Sequence, residues 1–498
     1  MPTPHAQARH RSPAIRSAIP PAFLARMAGL LGTEYAAFAA TFADPPRSGL
    51  RLNTLKVSSA EFARLASFAL EPLPWPPAAY LIADETQPGK HPFHAAGLYY
   101  LQDPAAMAPA ALLDPQPGER ILDLSAAPGG KATHLASLLA GRGLLVANEV
   151  HSQRAWDLAE NLERWGVTNA VILNETPQRL AATWPDFFDR VLVDAPCSGE
   201  GMLRKSEAAR REWAPQLIEG CALRQAGILE SAARLVRPGG VLAYATCTFA
   251  PEENEGTVAR FLAGHPAFEL QAPEHRPGFA SGRPDWLSGT GAQPDLAVAV
   301  RLWPQHFPGE GQFVALLRRK DEREGAGEAA AGDGRRSRQG LRRGGSKSQP
   351  GAGQATEVPR VLRDQYLDFC RETLVEAELP GEQDLALAGT YLYRRPAGMP
   401  DPAGLRAIHP GWWLGSFKKD RFEPSHALAL ALTAPAARRS VDLDPEDEAL
   451  HAYLRGEAIR QEGEDGWTLV TVAGYPLGWA KRVHGVLKSH YPRGLRRY

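Results

Sequence analysis

The sequence predicts an α/β protein built on a Rossmann-like, doubly wound parallel sheet, preceded by a small α/β section and followed by an α+β section. Three observations predict it. The chain has 498 residues, whereas single hydrophobic cores stop growing at roughly 250 to 300 residues and the chain then divides. Between Pro117 and Arg319, short β-rich apolar runs alternate with helical patterns, the order that winds strands into a parallel sheet with ligands at its C-terminal strand ends. From Lys320 to Glu357, Gly, Ala, Arg, Ser and Glu crowd out large apolar residues (EGAGEAAAGDGRRSRQGLRRGGSKSQPGAGQ), the composition of a flexible linker.

In chain order, residues 1–18 are basic and acid-free but lack the continuous apolar stretch of a secretory leader, and their prolines oppose an amphipathic transit helix. A flexible terminus and a cytoplasmic location are expected. Residues 19–114 read as a small α/β appendage carrying one basic strand-like piece, LRLNTLKV. Residues 115–319 give ILDL, a helix from Lys131, LLVA, a helix over His151–Trp165, VIL, RVLV, a helix over Leu217–Val236, VLAYAT and FVALL. Residues 358–498 begin with helical DQYLDFCRETLVEAE and show β-like segments around Tyr391 and Thr468. They end in a basic tail with Lys481, Arg482, Lys488, Arg493, Arg496 and Arg497, interleaved with Trp479, His484, His490, Tyr491 and Tyr498. No internal repeat stands out.

Composition narrows the function. Hydrophobic content of 44% and charged content of 22% exclude wholesale disorder and a fibrous protein. The apolar run LASLLAGRGLLVA is broken by Gly and Arg and falls short of the roughly 20 residues a membrane span needs. Four cysteines, Cys197, Cys221, Cys247 and Cys370, form no CxxC pair and no Cys/His ligand spacing, so neither a disulfide framework nor a metal site is expected. Lys plus Arg balance Asp plus Glu at 56 each, so a polyanion would have to be held by local clusters.

The motifs carry the chemistry. ILDLSAAPGGKATHL runs from a buried strand through Ser125, Ala126, Ala127, Pro128, Gly129, Gly130 and Lys131 into a helix, and small residues there let a ligand approach the backbone. The next strand ends in Asn148-Glu149, an acidic position about twenty residues on, where ribose hydroxyls are caught. The glycines do not spell GxGxxG, which disfavours a dinucleotide and favours S-adenosylmethionine, whose sulfonium needs no pyrophosphate cradle. RVLVDAPCSGEG then feeds Asp194 and Cys197 into a loop, and VLAYATCTFAPEENE delivers Cys247 at the neighbouring strand end. Two thiols are thereby expected to face one cleft, as nucleophiles do. Cys221 and Cys370 sit inside helical patterns and read as small buried hydrophobes.

These residues resemble the RNA cytosine-C5 methyltransferases of the Nol/Nop/Sun family, in particular the bacterial branch acting on small-subunit ribosomal RNA. The likeness runs through RLNTLK, GLYYLQDPAAM, DLSAAPGGK, Asn148-Glu149 with Arg154 five positions past Glu149, DAPCSGEGMLRK, TCTFAPEENE and GEGQFVALLR. Past the linker, LGSFKKDRFEPSHALALAL and PLGWAKRVHGVLKSHYPRGLRR look like the PUA-related RNA-binding part of that branch.

The resemblance implies a methyltransferase sheet, S-adenosylmethionine as cofactor, and RNA, from small-subunit rRNA or the 30S subunit, as partner of a monomeric enzyme. It implies that Ser125 to Lys131 wrap the methionine end of the cofactor, that Glu149 holds its ribose with Arg154 nearby, and that Asp194 lines both cofactor and cytosine pockets. Cys247 becomes the nucleophile that adds to C6, and Cys197 the group that releases the product. One departure is NETPQR, which puts Thr176 where the family often has an Asp beside the adenine.

Chemistry fits these roles. Cytosine C5 attacks a methyl sulfonium only after a thiolate on C6 has pushed electron density onto it. A thiolate needs a positive or hydrogen-bonding surround, and Asp194, where protonated or sharing a proton with the base, is expected to donate to it. The base must leave its stack, so a basic surround is expected, with Arg51, Lys56, Arg204 and Lys205 on the RNA. A transfer RNA substrate, a non-catalytic RNA-binding assembly factor and a nucleotide-dependent dehydrogenase are the alternatives. The C-terminal likeness disfavours the first, intact cofactor loop and thiols the second, and the missing GxGxxG the third.

Overall fold

The computed structural model describes residues 18–83, 87–287, 295–321, 356–375, 384–400, 402, 404–419 and 421–496. Residues 1–17 of the expected flexible terminus, nearly all of the expected linker, and Arg497 and Tyr498 of the tail lie outside them.

Helices Pro21–Leu31 and Tyr35–Ala40 open the described chain. Their Phe23 and Phe38 pack against Trp213 and Phe249 of the central section, with ring centroids 5.7 and 5.2 Å apart. The basic strand-like piece is strand β1 (Ser48–Leu52), joined by β2 (Glu71–Pro72), β3 (Ala79–Ile82) and β4 (Tyr99–Leu101) in the order β2-β3-β1-β4.

The central section contributes β5 (Arg120–Asp123), β6 (Leu144–Asn148), β7 (Ala170–Leu173), β8 (Phe188–Asp194) and β9 (Val236–Thr246), all parallel. Strands β10 (Phe268–Gln271), β11 (Phe279–Ser281), β12 (Val300–Leu302) and β13 (Gln312–Arg319) follow, with β13 antiparallel to β9. Helices Gly130–Leu139, Ser152–Trp165, Pro177–Thr183, Pro215–Leu235 and Glu255–Gly264 alternate with them. The five parallel strands read as near-continuous apolar runs because helices cover both faces, and the sheet separates two large apolar clusters. The chain winds outward from β5 through β6 to β7, then returns to β8 and β9 on the other side of β5. Winding therefore reverses between β5 and β8, and a crevice opens beyond their C-terminal ends.

The C-terminal section holds two sheets. Strands β14 (Leu385–Ala388), β15 (Tyr391–Arg394), β17 (Trp412–Lys418) and β18 (Arg421–Pro424) form one, while β16 (Ala407–His409) leaves it and adds to the free edge of β7. Strands β19 (Ser440–Leu443), β20 (Ala458–Arg460), β21 (Gly466–Val472), β22 (Tyr475–Val483) and β23 (Val486–Ser489) form the second. Trp479 is 1% exposed with its indole N–H on Ser425 O, and Tyr491 is also buried, so neither is a surface stacking platform. Cys221 and Cys370 are buried in helices as expected.

Where β16 docks, His409 Nδ1 lies 3.3 Å from a carboxylate oxygen of Glu163 on helix Ser152–Trp165. Burial, with Glu160 adding, pushes the Glu163 carboxyl up from 4.5 to about 8, and burial brings His409 down to about 4. A carboxyl raised in the fold stabilises fully below its ordinary value, and the contribution is lost as pH climbs through the folded value. Glu163→Gln is therefore expected to leave the melting temperature unchanged near pH 4 and to stabilise by on the order of 1–2 kcal/mol near pH 9. Thermal melts at both values check it; equal effects at the two would contradict it.

Candidate active site

Strand β5 ends in Asp123, wholly buried, whose carboxyl is approached by the Ser125 backbone N–H and accepts from no side chain among the described residues. Burial, with Asp194 adding, pushes this carboxyl up to about 8. The glycine-rich turn follows. Gly129 has φ +118°, and a Cβ on it would meet Asn161 Cβ at 3.1 Å; one on Gly130 would meet the Tyr100 ring at 3.2 Å. A side chain at Gly129 would drive the turn off helix Ser152–Trp165, and one at Gly130 would drive it off Tyr100 and Gln102; the helix holds the turn by two contacts. Arg154 donates to Ala127 O at 2.7 Å, and Asn161 donates to Pro128 O at 2.8 Å. Arg154 also reaches to 3.4 Å of Glu149 Oε2, while Glu149 Oε1 accepts from His151 N.

Thr176 caps helix Pro177–Thr183 by accepting from Arg179 N. Its neighbours are held from afar: Arg406 donates its backbone N–H to Glu175 Oε1 at 2.7 Å and its guanidinium to Asn174 Oδ1 at 2.8 Å. The Asn174 amide in turn donates to the carbonyls of Glu149 and Val150. The C-terminal section thereby supports the acidic strand end, a contact with no local signal in the sequence.

Parallel pairing sets Asp194 beside Ala245, so the loops leaving β8 and β9 start level and bring Cys197 and Cys247 together. Their sulfurs are 3.4 Å apart. The hydrogen bond to Cys247, then burial, pushes the Cys197 thiol well above its usual range. Lys131, at the mouth of the glycine-rich turn, donates to Asp194 Oδ2 at 2.7 Å. Burial alone would lower the Lys131 ammonium, but Asp194, and to a lesser degree Cys247 and Asp123, raise it. The Lys131 ammonium is thus near enough to the Cys247 sulfur for each charge to favour the other, and turn, carboxylate and thiols meet at the ends of neighbouring strands. One oxygen of Asp194, the residue expected to line the cofactor and cytosine pockets, thus accepts from Lys131.

The Cys247 loop is anchored from below. Arg301 forks onto both oxygens of Glu255 at 2.7 and 2.6 Å and donates to Phe249 O at 3.0 Å, with both charged side chains at most 2% exposed. Arg301 outweighs the burial that would raise Glu255, whose carboxyl is held low.

The basic residues expected on RNA are corrected by their burial. Arg51 is 1% exposed, donates to Gln102 Oε1, Gly130 O and Thr133 Oγ1, and lies 4.8 Å over the Trp165 ring. Lys56 donates to Ala96 O and Arg164 O, and burial lowers its ammonium to about 7. Arg204 forks onto Glu310 at 3.0 and 3.1 Å in the interior. Arg204 also donates to Thr41 O, so all three tie the N-terminal section to the central section and spend their charged ends inside the protein rather than on RNA. Lys205 pairs with Asp103 at 2.5 Å and lines, with Lys90, an open groove of about 700 Å³.

A doubly wound sheet whose reversal point presents a glycine-rich turn, an acidic strand end and two facing thiols defines the nucleoside-cofactor methyltransferase class. The comparisons agree. Residues 110–318 match the model described as 16S rRNA methyltransferase RsmB/F, and 19–104 that of the N-terminal domain of 16S rRNA methyltransferase RsmF. Residues 368–432 match the RsmF rRNA methyltransferase first C-terminal domain, and 440–497 the methyltransferase RsmF PUA domain. Ribosomal RNA small subunit methyltransferase F of Klebsiella pneumoniae (strain 342) is 32% identical over 495 residues, covering 96% of each chain. Its counterpart from Escherichia coli (strain K12) is 29% identical over 503 residues, again 96% of each. Among solved structures, a methyltransferase homolog protein from Pyrococcus horikoshii is 28% identical with TM-score 0.52, covering 60% of this chain and 94% of that one. NSun6 from Pyrococcus horikoshii, at 21% identity and TM-score 0.51, shares the fold. The chain belongs to the family of 16S rRNA methyltransferase F.

Proposed function

We propose that this enzyme methylates C5 of cytosine in small-subunit ribosomal RNA with S-adenosylmethionine, through a transient bond between Cys247 and C6 of the base. The single observation that carries the reading is the 3.4 Å approach of the two thiols beside the Lys131–Asp194 pair.

The residues present fit the cofactor. Ser125 to Lys131 offer a turn that small residues keep open, Asp123 offers buried oxygens that accept from no side chain among the described residues, and Glu149 retains acceptor capacity for ribose hydroxyls. Arg154 acts by fixing the turn and Glu149 together. When bound, the cofactor supplies an electrophilic methyl group.

Cys247, deprotonated beside the Lys131 ammonium and the Cys197 S–H, adds to C6, and the displaced electron pair makes C5 nucleophilic. As O2 and N3 gain charge, the Lys131 ammonium, held by Asp194, lends a proton to N3 and takes it back when the ring regains its double bond. After transfer, C5 carries a proton that must leave before the Cys247–C6 bond can break. Forming that bond consumes the negative charge on Cys247, which removes the leading cause that kept Cys197 protonated. Cys197 can then lose its proton to solvent, accept the C5 proton and let Cys247 depart as a thiolate.

The same reading assigns residues 115–319 to the transfer and residues 19–114 and 358–498 to holding RNA, rRNA or an assembling 30S subunit, by a monomer in the cytoplasm. No helix among the described residues is long and apolar enough to cross a membrane. Bisulfite sequencing of total RNA from cells with and without the gene tests it. Loss of 5-methylcytosine at one or more small-subunit rRNA positions is expected; an unchanged map would reject the reading, and a loss confined to transfer RNA would move the substrate.

A further inference from the structure

Each thiol is followed by a hydroxyl, Ser198 after Cys197 and Thr248 after Cys247, and the two hydroxyl oxygens lie 2.8 Å apart. Ser198 Oγ is 2.5 Å from Glu253 Oε1, and Thr248 Oγ1 is 3.0 Å from Glu200 Oε2. All four side chains are buried. They form a row of oxygens, Glu253 to Ser198 to Thr248 to Glu200, with three contacts in it. Two hydroxyls bring two protons.

Were both carboxyls ionised, one of the three contacts would set two oxygens against each other with no proton between them, away from water, where unfilled polar contacts cost most. The other neighbours do not remedy this. Ser198 N and Gln225 Nε2 donate to Glu253 Oε2, Trp213 Nε1 donates to Glu200 Oε1, Phe249 N donates to Glu200 Oε2, and Ala250 N donates to Thr248 Oγ1. None places a proton on a contact within the row.

We propose that Glu200 and Glu253 share one proton through Ser198 and Thr248, so that the pair carries a single negative charge and the row clamps the two cysteine loops at a fixed separation. With the proton on Glu253, it donates to Ser198, Ser198 to Thr248 and Thr248 to Glu200. With the proton on Glu200, every donor in the row reverses. Either arrangement fills all three contacts. The clamp's bearing on catalysis rests on the thiol roles proposed above; the shared proton does not.

The surroundings agree. Burial raises both carboxyls, and the groups facing them are Arg26 from helix Pro21–Leu31, Cys221 from helix Pro215–Leu235, Tyr244 from β9, and Cys197. Arg26, the cation among them, is engaged by Glu252 at 2.5 Å. A second charge on the row would oppose thiolate formation, since Glu253 already acts to raise Cys197. Glu200 and Glu253 are thus positioning residues for the pair of thiols.

Infrared difference spectra of the full-length protein at neutral pH test the proposal. Glu253→Gln and Glu200→Gln are each expected to lose the carbonyl band of one protonated carboxyl, because the new amide donates into the row and the remaining glutamate ionises. The double variant is expected to lose no more than either single. Thr248→Val, which removes a hydroxyl and neither carboxyl, is expected to lose the same band, and it carries the test should a glutamine variant fail to fold. A difference spectrum against the parent that shows no lost carboxyl band in any one of these variants, or two lost bands in the double variant, overturns the shared proton without touching the methyl-transfer reading; the raised Asp123 and Glu163 carboxyls are common to all and cancel.

Discussion

Cys247→Ala is expected to lower methyl transfer by at least about 10³-fold and to form no bond with RNA, because no other thiolate can reach C6 from that strand end. Cys197→Ala is expected to fail differently. Addition and methyl transfer still have their nucleophile, but the acceptor for the C5 proton is gone, so the protein should accumulate joined to RNA in a complex that survives denaturing electrophoresis. The sulfurs are 3.4 Å apart, and of the two thiols it is Cys247 that acts on the Lys131 ammonium. Equal trapping by both variants, or trapping by Cys247→Ala alone, would reverse the assigned roles. Binding of RNA, measured separately by filter retention, should be retained by both.

Arg301→Met is expected to destabilise the central sheet by ~3–5 kcal/mol, because it leaves the Glu255 carboxylate buried without its partner. The fork between them is at most 2% exposed, so water cannot take the lost partner's place. Restoring neutrality should recover much of the loss: Arg301→Met with Glu255→Gln is expected to melt well above Arg301→Met alone. Urea denaturation followed by tryptophan fluorescence reads both, since Trp286 and Trp303 lie 5.0 and 5.4 Å from the Arg301 guanidinium. If the single variant were as stable as the parent, Glu255 would have to find another cation or a proton inside the core. Phe249 O loses a donor in the same substitution, so the Cys247 loop should also loosen.

The central sheet was legible because parallel strands covered on both faces leave unbroken apolar runs, and because each loop that builds the cleft follows directly on such a run. ILDL, LLVA, VIL, RVLV and VLAYAT all became strands of that sheet, and the expected pairing of thiols follows from β8 and β9 being neighbours in register. Contacts between distant segments were not legible. Arg51 looked like a surface cation, but its partners Gln102 and Thr133 stand 51 and 82 positions away, and nothing local in LRLNTLKV announces them. Lys131 was read only as part of the turn; that its ammonium faces Asp194 and Cys247 depends on β5, β8 and β9 standing next to one another. Strand β16 was missed because three residues with an irregular register carry too little periodicity to stand out.

That short strand has a consequence for how the molecule keeps to itself. Without Ala407–His409 laid along it, the all-apolar strand Ala170–Leu173 would present a row of bare amides and carbonyls at the flank of the largest sheet, an open template for a neighbouring copy. A shortened chain stopping at Arg319 would retain every thiol and carboxylate of the cleft and yet tend to stick edge to edge, so the last third of the protein serves the first two as a selvedge.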